Sequence, residues 1–454
     1  MPGSLVGDRT GRDLEALMPT TLESTPGGAL PRPGRSLPRA LQRFFDTESS
    51  GAVILLLSTV VALAWANSPW KASYETLWHT RLNLGLGDVA RSEDLRHIVN
   101  EALMAVFFFV VGLEIKHELV AGQLQRWRTA ALPVFAAVGG MVVPAAIYTA
   151  VNLGGEGSRG WGIPMATDIA FALGVLALLG KRVPGTLKIF LLTLAIADDV
   201  GAIAIIAIFY SGGINWPALL VAAVLLTGVV ALRRARVLWA PGYVLLGAGV
   251  WAAVYESGVH ATLAGVALGL LAPARPLAPD VVVEEWSVDL AEEPSAAELK
   301  TMTDLARSTV SVTERLQHML HPVTSYLIVP LFALANAGVV FQTTSLDAPG
   351  ASAVAGGVGL GLVVGKLVGV SGAAWIAVRT KEGRLPDGVA WAHIVGVAGL
   401  AGIGYTVSLF IADLAFPSPD LVDAAKLGIL AASLVAAVLG AAILRFPAGR
   451  GSRP

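Results

Sequence analysis

The chain has 454 residues, 55% of them hydrophobic and 14% charged, against roughly a quarter charged in ordinary soluble domains. Its 32 basic and 33 acidic residues nearly cancel, so no polyanionic partner is implied, and the absence of cysteine removes disulfides and thiolate chemistry. So little charge cannot cover a soluble surface, and apolar runs recur from Gly51 onward: the composition excludes soluble enzymes, nucleic-acid binders and disordered proteins, and defines a polytopic membrane protein.

Residues 1–43 are rich in Pro, Gly, Ser, Thr and Arg and hold no apolar stretch. They read as a disordered cytosolic tail, not a signal peptide. The membrane domain follows over 44–446, and 447–454 form a short cytosolic C-terminal tail. Within the domain, apolar runs predict helices over 51–66, 96–119, 131–151, 162–179, 186–210 and 218–232 in the first half. The second half adds 241–254, 258–272, 323–340, 354–378, 389–414 and 421–444. None alternates as a barrel strand does, so the expected fold is an all-α polytopic membrane protein of about twelve transmembrane helices. The runs 241–254 and 258–272 are short enough to be confused with one broken hairpin.

The connecting loops fix an orientation. Arg32, Arg35, Arg39 and Arg43 place the N-terminus inside, because basic residues resist translocation. Alternate loops then carry Arg126 and Arg128; Lys181 and Arg182; Arg233, Arg234 and Arg236; Arg379, Lys381 and Arg384; and finally Arg445 and Arg450. The intervening short loops contain Arg159 as their single basic residue, so both termini are expected in the cytosol. Residues 67–95 form a long outer loop, in which Leu82-Asn83-Leu84-Gly85-Leu86-Gly87-Asp88 alternates like a short β-hairpin. A hairpin of that size needs packing support, and a second copy of the chain is one source of it. Residues 273–320 read as a long cytosolic loop, acidic through Glu284, Glu285, Glu292 and Glu293.

Ionisable residues inside apolar runs carry the chemistry. Asp168, Asp198, Asp199 and Lys366 fall at mid-span, where each costs about 2.5–3.5 kcal/mol on insertion scales. Asp198 and Asp199 are neighbours on one helix and point about 100° apart, so one can face a cation path while the other meets a partner. Lys366 lies too deep in 354–378 to reach water and requires a carboxylate inside the bundle. Asp168 follows Gly162-Ile163-Pro164-Met165-Ala166-Thr167, where a proline can open the helix and expose hard oxygen ligands suited to a small cation. The stretch Gly396-Val397-Ala398-Gly399-Leu400-Ala401-Gly402-Ile403-Gly404-Tyr405 is its glycine-interrupted counterpart. Interrupted segments at matching places in two halves mark the site of a transporter built from inverted repeats, although such glycines also serve close helix packing. Burial penalises the charged form of an Asp, so a buried carboxylate holds a proton or a cation, and that competition is cation/proton exchange.

These motifs resemble the NhaA-type sodium/proton antiporters over about Phe44 to Phe446. The stretches that carry the resemblance begin with Ala166-Thr167-Asp168-Ile169-Ala170-Phe171-Ala172-Leu173-Gly174 and Asp198-Asp199-Val200-Gly201-Ala202-Ile203. Three more follow: Ser257-Gly258-Val259-His260-Ala261-Thr262, Pro330-Leu331-Phe332-Ala333-Leu334-Ala335-Asn336-Ala337-Gly338 and Gly402-Ile403-Gly404-Tyr405-Thr406-Val407-Ser408. The resemblance implies export of Na+, and also of Li+, against external H+, electrogenic and pH-regulated, with no cofactor. It implies that Asp199 is the main Na+ ligand and proton carrier, beside Asp198 paired to Lys366. Asp168 and Thr167 would lie where two broken helices cross, Asp168 offsetting helix N-termini and Lys366 offsetting C-termini. Glu114, Lys116, His117, Glu118, His318 and His321 match a pH-responsive cytosolic mouth, and His260 matches an outer histidine; Gln317 and His117 depart from well-studied members. The implied setting is a bacterial inner (plasma) membrane, with homodimer contact through the outer loop 67–95. Rival readings are a channel or antiporter for another monovalent cation, an intramembrane aspartic protease, which lacks its Gly-x-Gly-Asp signature here, and a haem protein, which lacks paired mid-span histidines.

Overall fold

The structure, a computed structural model, describes residues 39–86, 89–180, 183–235, 239–275, 310–341 and 347–445. The tail residues 1–38, the acidic loop over 276–309 and the C-terminal 446–454 lie outside the described residues.

Helix α1 (Arg39–Ala66) begins directly after Pro38, a residue suited to the edge of a helix rather than its interior. It therefore takes in Arg39 to Arg43, placed in the tail by composition alone. A bend of 116° separates its apolar part from the short α2 (Lys71–Trp78). Strands β1 (Arg81–Leu86) and β2 (Val89–Asp94) then pair antiparallel, Arg81 opposite Asp94 and Leu86 opposite Val89. Tyr74 of α2 anchors this stretch: its hydroxyl donates to the Leu334 and Ala335 carbonyls at 2.9 and 3.1 Å. Burial pushes that hydroxyl up to about 12, so it stays protonated and a donor.

The remaining helices are α3 (Leu95–Val120), α4 (Trp127–Val151), a 3-10 limb Glu156–Met165 leading to α5 (Ile169–Leu178), α6 (Gly185–Phe209) and α7 (Trp216–Arg234). After them come α8 (Ala240–Glu256), α9 (Thr262–Leu271), α10 (Val312–Asn336), α11 (Ala351–Arg379), α12 (Trp391–Leu400), α13 (Tyr405–Ala415) and α14 (Pro419–Arg445). The runs 241–254 and 258–272 are thus two helices joined by Ser257–Ala261. Helix α10 opens at Val312, so the end of the loop expected over 273–320 is helical. Ser311 caps it by accepting from the Glu314 amide at 3.1 Å, and Thr313 ties its first turn to the Pro273 carbonyl at 2.9 Å.

Among the described residues, seven helices are long and apolar enough to cross a membrane, or ten if each bent pair counts as one span. Large apolar side chains on their outer faces, such as Leu56, Leu57, Leu220, Val224, Leu434 and Val438, are exposed, as a protein solvated by lipid requires. Outside the hairpin every described element is helical, which satisfies the backbone within each segment.

Two helix groups emerge from the packing. In one, α1 packs on α10, and α3 on α9 and α10. In the other, α4 packs on α6 and α11, and α14 on α11, α12 and α13. Helices α4 and α11 approach so closely that a Cβ on Gly139 would meet the Gly369 carbonyl, and a Cβ on Gly369 the Gly139 carbonyl. Among the described residues three helices contain a π turn, at Val99–Leu103 in α3, Thr324–Ile328 in α10 and Gly361–Gly365 in α11. Such insertions widen a helix locally and redirect side chains, and each here adjoins a polar group described below.

Candidate ion-binding site

The two interrupted helices meet at their breaks. The 3-10 limb and α5 are bent by 47° around Ala166-Thr167-Asp168, and α12 and α13 by 45° around Ala401 to Gly404. The first break follows Pro164, which has no amide proton to continue a helix ladder, and the second contains Gly402 and Gly404. Backbone joins them directly: the Asp168 amide donates to the Ile403 carbonyl at 2.6 Å.

Asp168 serves two helices at once. Its Oδ1 accepts from the Phe171 amide at 3.0 Å, capping α5, while Oδ2 accepts from the Thr406 amide at 3.0 Å and the Thr406 hydroxyl at 2.6 Å, at the start of α13. One carboxylate therefore lies between two helix N-termini, where orphan amides and aligned peptide dipoles both favour negative charge. Asp168→Ala is expected to destabilise the protein by about 2 kcal/mol, roughly two lost caps, and Asp168→Asn by less, because an amide oxygen still accepts. Denaturant titration in detergent measures this; a variant as stable as the parent would rule out double capping.

Across the same crossing, Lys366 follows the π turn of α11 and is wholly buried. Its ammonium donates to Asp198 Oδ2 at 2.6 Å and to the Thr167 hydroxyl at 2.9 Å. Thr167 Oγ1 in turn lies 2.7 Å from Asp198 Oδ2 and 2.9 Å from the Ala401 carbonyl. With one proton to give, that hydroxyl chooses between the carboxylate and the open carbonyl at the end of α12. Asp198 is fully buried and turned toward Lys366.

Asp199, one residue on, points elsewhere. With Thr167, Asp168 and Thr406 it lines a cavity of about 60 Å³, enough for a few water molecules. The other wall is Gly51 and Leu55 of α1, Phe107, Val110, Val111 and Glu114 of α3, and His321, Thr324, Ser325 and Val329 of α10. The cavity thus lies between the two helix groups. Among the described residues no hydrogen bond or ion pair reaches the Asp199 carboxylate, so no protein cation is in direct contact with it.

Of the other candidate residues, Glu114 and His321 line the cavity, and His321 is buried. Lys116, His117 and Glu118 lie on the last turns of α3. There Glu118 accepts from the Gln123 amide at 2.7 Å, closing the turn. His318 is exposed on α10. His260 stands apart from these, its Nε2 donating to the Tyr210 carbonyl at 2.8 Å beyond the far end of α6. Sequence reasoning passed over Thr406 as the second partner of Asp168; a hydroxyl at the second position of a helix that follows Gly404 is the signal that was available.

A bundle of apolar helices, two of them broken around buried carboxylates and a buried lysine, defines a secondary transporter of the membrane. Comparison with known proteins narrows the class. The family described as Na+/H+ antiporter 1 matches residues 42–444. The chain is 47% identical over 426 residues to Na(+)/H(+) antiporter NhaA 3 of Frankia alni, covering 92% of each protein. It is 45% identical over 446 residues to Na(+)/H(+) antiporter NhaA of Janthinobacterium sp., covering 95% of this chain and 98% of the relative. To the NhaA protein of Rhodopirellula baltica it is 45% identical over 431 residues, 91% of this chain and 96% of the relative. The chain belongs to the Na+/H+ antiporter 1 family and is a multi-pass membrane transporter, not an enzyme.

Proposed function

We propose that this chain exchanges intracellular Na+, or Li+, for external H+ by alternating access, with cation and proton competing for Asp199. The observation that carries the reading is the division of labour between neighbours. Asp198 is paired directly to Lys366, whereas Asp199 faces the cavity without a contacting counter-ion. A small hard cation fits that carboxylate with the Asp168 and Thr167 oxygens nearby, and when no cation is bound a proton supplies the missing positive charge.

The cycle is then a swap at one group. Na+ arriving from the cytosol displaces the Asp199 proton, the helix groups rearrange, and outside the cation leaves while a proton returns. Asp168 holds the helix crossing together, and Lys366 keeps Asp198 compensated. Exchange is electrogenic if more than one proton returns per Na+, and the Asp198–Lys366 pair is the second group able to carry one.

We place twelve crossings in a bacterial inner membrane. To the ten spans counted by length we add α8 and α9, which are shorter, giving inverted repeats with each broken helix in its own half. Both termini lie in the cytosol, the orientation favoured by Arg126, Arg128, Arg233, Arg234 and Arg379 at one face. The β1–β2 hairpin lies outside and is the contact of a homodimer, since two strands alone bury too little. Glu114 and His321, on the cavity wall, head the pH response; Lys116, His117, Glu118 and His318 surround that mouth, and His260 acts from the outer side.

Competition has a direct signature. In everted vesicles carrying a pH dye, added Na+ should restore fluorescence, and below the Asp199 pKa the apparent Na+ affinity should fall about tenfold per pH unit, as one proton competing with one cation requires. No Na+-dependent proton movement at any pH would reject the reading. An affinity independent of pH would keep transport but reject competition.

A further inference from the structure

Leu55, Asp168, Thr406 and Val407 line the cavity, and three further contacts, each built on α13, join the two helix groups. Nearest the site, Tyr405 and Thr59 of α1 form a hydroxyl pair at 2.5 Å. Thr59 spends its single proton on the Leu55 carbonyl at 2.7 Å, so Tyr405 is the donor between them. Next, the buried Phe410 ring packs between Phe108 of α3 and Phe332 of α10, with centroids 5.4 and 6.4 Å away. Farthest out, Asp413 Oδ2 accepts from Asn100 of α3 at 3.4 Å. Asn100 and Asn336 of α10 exchange amide hydrogen bonds of 2.7 and 3.2 Å. From Tyr405 to Asp413 the layers cover about 12 Å of helix.

The polar layers are arranged so that separation strands one group, the buried Tyr405 hydroxyl, whose hydrogen bond is to Thr59. Asp413 Oδ1 is paired to the buried Lys426 of α14 at 3.0 Å, and α14 belongs to the same group as α13. If the groups part, Asp413 gives up one long hydrogen bond and keeps its counter-ion. Asn100 and Asn336 keep each other, and Thr59 keeps the Leu55 carbonyl. A buried polar contact normally resists opening because each half is left unsatisfied; here Asp413, Asn100 and Thr59 each keep a partner, and Tyr405 alone gives one up.

We infer that Thr59–Tyr405, the Phe410 slot and Asp413–Asn100 form the gate closing the transport path on the side away from the cavity, with Asp413–Lys426 and Asn100–Asn336 as the pairs that survive its opening. The inference rests on the exchange reading above, in which the site must face each side in turn.

Because the chain has no cysteine, disulfides test it cleanly. Thr59→Cys/Tyr405→Cys and Asn100→Cys/Asp413→Cys are each reconstituted in liposomes, oxidised, and the cross-link verified by mass. Exchange should fall at least about tenfold on oxidation and return with reductant, since a gate that cannot open stops turnover. Cross-linked protein that exchanges at the reduced rate would overturn the gate. A second arm needs no turnover: Ala412→Cys, buried within the barrier, is labelled from outside by an impermeant maleimide. Thr59→Val/Tyr405→Phe should speed labelling at least about threefold by weakening the closed state, and unchanged labelling would overturn the gate. A parent chain without Na+-dependent exchange would instead reject the proposed function, leaving the labelling arm to judge the gate.

Discussion

Asp199→Asn is expected to lower Na+-driven proton exchange by about one to two orders of magnitude while leaving the fold intact, because loss of a buried charge-assisted contact is worth about 1.5–3 kcal/mol and each 1.4 kcal/mol is a factor of ten. The substitution is nearly isosteric, yet an amide can neither balance a cation nor carry a proton through this pH range. Folding should be spared because no described protein group depends on the Asp199 carboxylate for a hydrogen bond or ion pair. This separates it from Asp168, whose oxygens cap two helices. Proteoliposomes with an internal pH dye measure the rate, and denaturant titration of the same protein measures stability. A variant exchanging at half the parent rate would show that Asp199 is not the carrier.

Lys366→Met carries the largest expected loss of stability. Lys366 and Asp198 are both wholly buried and 2.6 Å apart. Removing one partner strands the other's charge, at about 3–5 kcal/mol, whereas replacing both with neutral groups of similar size is often tolerated. Asp198→Asn/Lys366→Met should therefore recover most of what Lys366→Met loses, a coupling that a double-mutant cycle reads directly. Additive losses in the cycle would mean that the short contact does not stabilise the protein, and that Lys366 is held chiefly by its packing and by Thr167.

How much of this was legible beforehand depends on the physics that marks each residue. Asp168, Asp198, Asp199 and Lys366 were visible because a charge inside an apolar run is costly enough to demand a reason. The different directions of Asp198 and Asp199 followed from helix geometry alone, and so did the need of Lys366 for a buried partner. Pro164 and the glycines around Gly402 announced the breaks. The gate hydroxyls announced nothing: Thr59 and Tyr405 are unremarkable in apolar helices, and the two partners are 346 residues apart. Asp413 and Lys426 sit near the ends of their runs, where charges normally reach water, yet Lys426 is buried. The π turns before Lys366 and around Asn100 leave no periodicity signal, because one extra residue in a uniformly apolar run changes no pattern. Helix starts were misjudged for a related reason: a polar first turn, as in α10, looks like loop until its cap is recognised.

The central claim is that one carboxylate, Asp199, binds either Na+ or a proton. Proton release on Na+ binding to the purified, unenergised protein tests it most directly, read by titration calorimetry in buffers of different ionisation enthalpy. Close to one proton should be released per Na+ bound at a pH where the site is protonated, with neither binding nor release in Asp199→Asn. Na+ binding without proton release at that pH, or unchanged binding in the variant, would contradict it.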